Sequence, residues 1–131
     1  QKIWHILYQN TDIEHMGKKE NYSASSQARL QLMMQYIHQK SAYNISLSDI
    51  ADQAKVSKST ALNLFQRYLG ISPVTYLVNY RLQEAAKLLA STEKKVTVIS
   101  KDTGFDSVDY FCKAFKKYYK LTPTEYRKKA Q

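Results

Sequence analysis

The sequence predicts an all-α fold, and three features of the chain support that class. Only 3 glycines and 2 prolines interrupt the 131 residues, which favours helices over a turn-rich sandwich or barrel. Apolar residues recur at the spacing of one helix face, and helix-capping residues stand where these faces begin. With 44% apolar and 24% charged residues, the chain can bury a core, so most of it is expected to be ordered.

The positive charge of the chain is concentrated after residue 26. The net charge is +9, whereas residues 1–26 carry three lysines and three acids. Such an excess attracts polyanions, either nucleic acid or an acidic membrane surface, and a merely solvated basic face is the alternative. The single cysteine, Cys112, cannot form an intrachain disulfide, and the three histidines lack ligand spacing. We therefore expect a reducing cytoplasm, no metal and no cofactor.

Residues 1–26 are predicted to be an N-terminal extension, or a linker from an upstream domain. Gly17 to Ser26 is polar and serine-rich without an apolar period, which indicates a linker or loop. The chain begins with Gln rather than Met, so we expect it to be a fragment of a longer protein. An apolar cluster in residues 2–16 suits a short helix or a strand equally well: Ile3, Trp4, Ile6 and Leu7.

A first helix is predicted from Gln27 to about Lys40. Ser26 stands where an N-cap is wanted. The methionines in the apolar stripe are expected to fill the core rather than to bind a ligand. The stripe consists of Leu30, Met33, Met34 and Ile37, all at helical spacing.

Two helices separated by a tight turn are predicted next. Ser46 and Asp49 form a capping-box pattern before a short helix of about residues 47–54. Ser57 then caps a third helix, and Gly70 stands where its left-handed C-terminal residue is wanted. Ser72 and Pro73 begin a long helix of about residues 73–90. The expected core of these helices is Ile50, Ala51, Ala54, Ala61, Leu64, Phe65, Tyr68, Leu77, Val78, Leu82, Ala85, Ala86 and Leu89.

The sequence repeats itself after about fifty residues. Upstream of the main register the alignment slips by one residue, so that Ile50 meets Ile99, and the extra residue, Asp106, falls in a turn. A second copy is therefore predicted at about residues 96–119, with a final helix at about 123–130. Seven pairs share the main register: Phe65 with Phe115, Arg67 with Lys117, Tyr68 with Tyr118, Ile71 with Leu121, Ser72 with Thr122, Pro73 with Pro123 and Tyr76 with Tyr126.

Each copy is predicted to be a short helix, a tight turn and a second helix with an apolar inner face and a polar outer face. This unit lays its second helix in a DNA major groove, so we predict two helix-turn-helix subdomains, at about residues 47–70 and 96–119. The linker helix between them is long enough to serve adjacent major grooves. A duplicated hairpin used for packing or for binding protein is the alternative. The seven cations and single acid of residues 113–131 favour DNA.

Residues 27–131 resemble the DNA-binding domain of the AraC/XylS family of bacterial transcription regulators. The segment VISKDTGFDSVDYFCKAFKKYYKLTPTEYR holds the most specific motifs, and SLSDIADQAKVSKSTALNLFQRYLGISPVTYL and YRLQEAAKLLAS also match. The resemblance implies about seven helices, binding to double-stranded DNA on the bacterial nucleoid, and activation of transcription beside RNA polymerase. It also implies an upstream domain that senses an effector or dimerises.

The resemblance also places the DNA contacts. Bases would be read by Ser59, Leu62 and Asn63 in helix 57–69, and by Asp109, Tyr110 and Lys113 in helix 107–119. Phosphates would be bound by Lys58, Gln66, Arg67, Lys116 and Lys117. Asn63 suits adenine, Lys113 guanine and Asp109 cytosine, whereas Leu62 or Tyr110 suits a thymine methyl. Arg81 is expected to have a structural role rather than to bind phosphate.

Three positions depart from the family pattern. Lys120 replaces a glycine, so either this lysine is left-handed or the helix ends differently. Ser100 replaces an alanine, and its hydroxyl is expected to bond a carbonyl one turn back. Asn63 stands where arginine is frequent. We therefore expect the lysine-rich second unit to dominate affinity, while the first unit supplies modest specificity.

Two rival functions have weaker support in the sequence. An enzyme would need a phosphate loop, paired carboxylates or a nucleophile with its base, and Cys112 has no sequence-near histidine. A module for RNA or anionic membranes would need exposed aromatic residues among glycines, or a wide exposed apolar face beside a basic one. Neither pattern occurs in the sequence, and no apolar run approaches the roughly 18 residues that cross a bilayer.

Overall fold

A computed structural model describes the backbone of residues 18–131 and the side chains from Ala24 onward. This part of the chain forms seven α-helices and no strand, which confirms the predicted all-α fold. None of these helices is both long and apolar enough to span a bilayer. The apolar cluster at Ile3 to Leu7 lies outside the described residues. The helices are α1 (Lys18–Lys40), α2 (Leu47–Gln53), α3 (Lys58–Leu69), α4 (Pro73–Ser91), α5 (Val96–Asp102), α6 (Val108–Tyr119) and α7 (Pro123–Ala130).

The described chain divides into two compact units, each of which contains one helix-turn-helix. The first unit consists of the described residues up to Ile37 together with Ser46–Pro73, and it holds α2 and α3. The second consists of His38–Ile45 together with Val74–Gln131, and it holds α5, α6 and α7. The linker helix α4 therefore belongs to the second unit, apart from its first residue.

Helix α1 begins earlier than predicted. It starts at Lys18, so residues 18–26 are helical rather than a loop, and the prediction of Ser26 as the N-cap is wrong. No glycine or proline lies between Lys18 and Lys40, and lysine, glutamate, alanine and glutamine support helix without an apolar period. Ser26 instead lies within the helix and is buried. The predicted core stripe is confirmed at Leu30, Met33 and Ile37, which are fully buried, and Met34 is half-buried.

The first helix-turn-helix begins and ends at the predicted signals. The Ser46 hydroxyl accepts a hydrogen bond from the Asp49 amide at 3.1 Å, and the Asp49 carboxylate accepts one from the Ser46 amide at 2.9 Å. The Ser57 hydroxyl accepts from the Thr60 amide at 3.1 Å at the start of α3. Gly70 ends α3 with φ of +74°. Helix ends leave amides and carbonyls unpaired, so these local bonds fix where each helix begins and ends.

The second helix-turn-helix repeats this design with one added residue. Five residues separate α5 from α6, whereas four separate α2 from α3. Asp106 lies exposed within the longer turn, as the slip in the repeat predicted. Ser107 caps α6 by accepting from the Tyr110 amide at 3.1 Å. The insertion therefore leaves both flanking helices intact.

The core of the second unit is a run of aromatic rings along the inner face of α6. The ring centroids of Phe105 and Phe111 lie 5.0 Å apart, and those of Phe111 and Phe115 lie 5.7 Å apart. Tyr126 of α7 meets Phe115 edge-on at 5.4 Å. Each buried phenylalanine contributes roughly 1.5–3 kcal/mol. The rings pack with the apolar face of α4, which comprises Leu82, Ala85, Ala86 and Leu89.

Two arginines bind carbonyl groups at the ends of earlier helices. Arg81 lies on α4 and reaches the segment after α1, and Arg127 lies on α7 and reaches the end of α4 and the loop that follows. Helix C-termini leave carbonyls unpaired, and a guanidinium group donates to two of them at once. This confirms the structural role expected for Arg81. In Arg81, Nε donates to Ser41 O at 2.7 Å and Nη2 donates to Tyr43 O at 2.8 Å. In Arg127, Nε donates to Leu89 O at 3.1 Å and Nη2 donates to Lys94 O at 2.6 Å.

The two copies exchange glycine and lysine at their left-handed positions. In the first copy the turn residue is Lys55, with φ of +55°, and the helix ends at Gly70. In the second copy the turn residue is Gly104, with φ of +104°, and α6 ends at Lys120, with φ of +68°. Of the two alternatives for Lys120, the left-handed lysine is therefore the one observed. A side chain in this conformation costs about 1–2 kcal/mol.

Replacing Lys120 with glycine is expected to stabilise the protein. Lys120→Gly should raise the free energy of unfolding by about 1 kcal/mol, because strain is removed, less the entropy that glycine adds to the unfolded chain. The matched control is Gly70→Lys, which should lower it by a similar amount. No atom lies within 4 Å of a Cβ built at Gly70, so backbone strain alone is tested. Urea denaturation measures both, and an unchanged or lower stability of Lys120→Gly would contradict the interpretation.

Ser100 differs from its prediction. Its hydroxyl is buried, and it has no hydrogen-bond partner among the described residues, so the expected bond to a carbonyl one turn back is wrong. The hydroxyl is enclosed within the packing of the seven-residue helix α5 without reaching an acceptor. The nearby Thr103 behaves differently, because its hydroxyl donates to Ile99 O at 2.8 Å. A buried hydroxyl without a partner costs free energy on folding.

Ser100→Ala is expected to raise the free energy of unfolding by about 1 kcal/mol, since it removes an unpaired buried hydroxyl. Thr103→Val is the control, because it removes a buried hydroxyl that has an acceptor, and it should lower stability by a similar amount. Thermal unfolding of both variants beside the wild type gives the two shifts in melting temperature. A loss of stability in Ser100→Ala would show that the hydroxyl finds a partner in solution.

Candidate nucleic-acid interface

The two outer helices, α3 and α6, are held by apolar inner faces. Ala61, Leu64 and Phe65 are buried along α3, and Phe111 and Phe115 along α6. Residues on the opposite side of each helix from this buried face are expected to face solvent. All eleven predicted DNA contacts are indeed exposed: Lys58, Ser59, Leu62, Asn63, Gln66, Arg67, Asp109, Tyr110, Lys113, Lys116 and Lys117.

The outer face of α3 combines polar groups with one apolar side chain. Ser59, Leu62, Asn63 and Gln66 follow the spacing of one helix stripe. Leu62 is 41% exposed, although a leucine gains free energy by burial. Asn63, Gln66 and Arg67 also line a shallow open groove of about 470 Å³. The face therefore offers amide donors and acceptors, a methyl surface and a cation at its end.

The outer face of α6 is continued by the first half of α4. An open groove of about 620 Å³ is lined by Tyr110, Lys113 and Lys117 from α6 and by residues such as Val74 and Asn79 from α4. Tyr110 is 52% exposed and Val74 is 50% exposed. The α4 residues of this groove were not predicted from the sequence. Their signal was a valine outside the predicted core stripe of an otherwise amphipathic helix.

A hydrogen bond between α4 and α6 was also not predicted from the sequence. The Gln83 side chain on α4 donates a hydrogen bond to the Tyr118 hydroxyl on α6 at 2.8 Å. Tyr118 lines the same groove and is 39% exposed. No sequence pattern identifies such a pair, because both residues are exposed polar positions of separate helices. The bond fixes the last turn of α6 against the linker helix.

Both outer helices carry positive charge. Helix α3 has two cations and no acid, and α6 has three cations and one acid, Asp109, so each has a net charge of +2. The greater charge of the second unit lies beyond α6, at Lys120 and in α7. Arg127 is engaged with two carbonyls, which leaves Lys128 and Lys129 as exposed cations of α7. Such faces attract phosphate.

Cys112 on α6 has none of the features that activate a thiol. The Cys112 thiol is half-buried, and burial raises its pKa, with a further rise from the Asp109 carboxylate. A nucleophilic cysteine needs a lowered pKa, and the surroundings of this thiol act in the opposite direction. Within residues 24–131, no group of three histidine, cysteine, aspartate or glutamate side chains is placed to hold a metal ion.

Two helix-turn-helix units with exposed, cationic outer helices define a DNA-binding domain. The family model described as a helix-turn-helix domain matches residues 50–129, which is more than half of the chain. A solved protein from Chromobacterium violaceum, described as having an AraC-type DNA-binding domain, is 31% identical with a TM-score of 0.77. The match covers 82% of this chain and 96% of that one. The chain belongs to the AraC/XylS family of helix-turn-helix regulators, as its motifs predicted.

Two further proteins are similar to this chain, one in sequence and one in fold. An HTH-type transcriptional regulator from Haemophilus influenzae is 39% identical over 82 residues, which are 63% of this chain and 28% of that protein. The DNA-binding domain of AdpA, solved in complex with a target DNA, shares the fold at a TM-score of 0.71 and 21% identity, over 75% of this chain and 88% of that one. The chain spans about a third of the length of the curated relatives it matches first. The family and these relatives are transcription regulators and not enzymes.

Proposed function

We propose that this chain binds double-stranded DNA in a sequence-specific manner, with α3 and α6 in adjacent major grooves, and that it thereby regulates transcription. The observation that carries the proposal is the exposure of all eleven predicted contacts on the outer faces of these helices. The major groove admits an α-helix, and the second helix of a helix-turn-helix is the one that enters it.

Base reading is assigned to Ser59, Leu62 and Asn63 on α3 and to Asp109, Tyr110 and Lys113 on α6. The Asn63 amide can pair with adenine N6 and N7, and the Lys113 ammonium can donate to guanine O6 or N7. The Asp109 carboxylate can accept from cytosine N4. The exposed Leu62 and Tyr110 would gain burial against thymine methyl groups, which gives a reason for their exposure in the unbound chain.

Phosphate binding is assigned to residues at the edges of these faces. Such contacts set the register of the protein on DNA without reading sequence. Each contact made by a lysine or arginine releases counterions when it forms, so the cationic contacts together control the salt dependence of affinity. The residues are Lys58, Gln66 and Arg67 on α3, and Lys116 and Lys117 on α6.

The regulatory outcome is proposed to be activation beside RNA polymerase on the bacterial nucleoid. Support comes from the family alone, whose members are transcription regulators. The curated relatives are about three times as long as the matched region, which leaves room in them for effector sensing or dimerisation. We expect that this chain likewise supplies DNA binding, and that effector sensing or dimerisation is supplied by an upstream domain.

Removing the α6 lysines should weaken binding to every duplex. Each phosphate contact contributes about 0.9 to the slope of log affinity against log salt concentration. The Lys116→Ala and Lys117→Ala double variant should therefore lose about 1.8 of that slope. Lys128→Ala with Lys129→Ala removes the same charge from α7 and is the matched control. Fluorescence anisotropy at several salt concentrations measures the slopes, and equal losses from both pairs would show that only net charge matters.

Asn63→Ala and Lys113→Ala should each relax the preference at different base pairs. A good side-chain pair to a base is worth about 1–3 kcal/mol of discrimination, so the penalty for changing that base pair should shrink by this amount. Gln35→Ala and Lys101→Ala remove an exposed amide and an exposed lysine from other helices and should change no preference. Selection from a random duplex library, followed by titration of single substitutions, measures this. Overlapping positions for the two variants would contradict separate reading by α3 and α6.

Duplex DNA should be preferred over the other polyanions. Titration of the chain with a duplex, a single strand of the same sequence and vesicles containing anionic lipid, at two salt concentrations, compares the three directly. Tightest binding to the single strand or to the vesicles would favour the rival functions instead.

A further inference from the structure

The turn before α6 is built around Gly104. Its φ of +104° is a conformation that side chains rarely adopt. A Cβ at this position would lie 2.6 Å from Ser41 O and 2.7 Å from Arg81 Nε, closer than atoms of other residues can approach. The glycine is thus required both by its own backbone and by two neighbours from distant parts of the chain.

Arg81 bonds the backbone of the segment that contains Ser41. Its Nε donates to Ser41 O at 2.7 Å and its Nη2 donates to Tyr43 O at 2.8 Å. Burial lowers the pKa of Arg81, and the nearby Asp106 and Tyr110 act in the opposite direction. Asp106 lies in the turn before α6, and Tyr110 lies in the first helical turn of α6. The guanidinium group of Arg81 on α4 thus bonds the segment after α1 and lies directly against Gly104 in the turn that precedes α6.

The turn is coupled to the start of α6 by direct contacts. Phe105, which follows Gly104, is buried, and its ring centroid lies 5.0 Å from Phe111 and 6.0 Å from Tyr110. The Ser107 hydroxyl caps α6 at the Tyr110 amide. A displacement of the turn would consequently displace the first turn of α6, which bears two of the three assigned base-reading residues of that helix, Asp109 and Tyr110.

The contact of Arg81 with Ser41 and Gly104 forms a clamp on the turn before α6. The first copy has no equivalent clamp at its turn. The residue aligned with Gly104 is Lys55, which is also left-handed and has an exposed side chain. A helix-turn-helix of this type can therefore form without a glycine against an arginine at this point. The cluster of Arg81, Ser41 and Gly104 is an additional feature of the second unit.

We propose that Arg81 and Gly104 are positioning residues for base reading by α6, because they fix the turn from which Asp109 and Tyr110 approach DNA. This inference rests on the proposed function. It predicts that loss of the clamp changes which bases are preferred, whereas a residue that only stabilises the fold would change affinity alike for all sequences.

The test compares two chemically identical changes. Arg81→Lys keeps the charge but loses the fork that reaches two carbonyls. Arg127→Lys makes the same change at the carbonyls of Leu89 and Lys94. Each variant is titrated against the duplex selected by the wild-type chain and against its single base-pair substitutions. The ratio of two affinities is independent of the folded fraction, because unfolded chain weakens binding to every duplex equally.

Arg81→Lys should bind the selected duplex about tenfold more weakly and lose discrimination at the base pairs that Asp109→Ala and Tyr110→Ala identify. Discrimination at the base pairs identified by Asn63→Ala should remain, and Arg127→Lys should preserve both. Unchanged ratios in Arg81→Lys, or the same loss in Arg127→Lys, would overturn the positioning role. Should Arg81→Lys leave no folded chain by circular dichroism, Arg81→Gln and Arg127→Gln replace the pair.

The failure of the two proposals can be told apart. A wild-type chain that selects no duplex sequence overturns the proposed function and, with it, the positioning role. A wild-type chain that selects a sequence, together with an Arg81 variant that retains every preference, overturns the positioning role alone.

Discussion

Burial of one apolar stripe on each outer helix is the constraint on which the rest of the structure depends. Ala61, Leu64 and Phe65 fix the rotation of α3 about its axis, and Phe111 and Phe115 fix that of α6. Because a helix repeats every 3.6 residues, burial of one stripe decides which residues face solvent. The core thus selects the binding face, and polar residues on that face can vary with little effect on folding.

The duplicated unit shows which parts of the design are fixed and which are free. Both copies keep a serine cap on the second helix, at least one buried phenylalanine on its inner face and a left-handed residue at the helix end. They differ in turn length and in whether glycine or lysine occupies each left-handed position. Local backbone strain of about 1–2 kcal/mol is small enough to be carried by a core of this kind. The second copy uses its glycine differently, as the point where a distant arginine and carbonyl meet the turn.

Much of the fold could be predicted, because its signals are local. The capping box at Ser46, the left-handed Gly70 and the insertion at Asp106 each depend on a few neighbouring residues. The early start of α1 was missed because polar stretches such as residues 18–26 form helix without an apolar period. The Ser100 hydroxyl and the Gln83–Tyr118 bond could not be predicted, since each depends on how separate residues approach in space. The residues of the candidate site came from the family resemblance, and their exposure agrees with helical periodicity, whereas the α4 wall of the groove depends on how separate helices approach in space.

The division of the chain into units has a consequence for dissection. Residues 38–45 belong to the second unit, although the segments before and after them belong to the first. A fragment beginning at Val74 would therefore retain α5, α6 and α7 but would strip Arg81 of both acceptor carbonyls. The guanidinium group would then lie beside Gly104 without either of the carbonyl acceptors that it has in the whole chain. Because the two units are interleaved in sequence, no single cut in the backbone separates them with all of their own contacts.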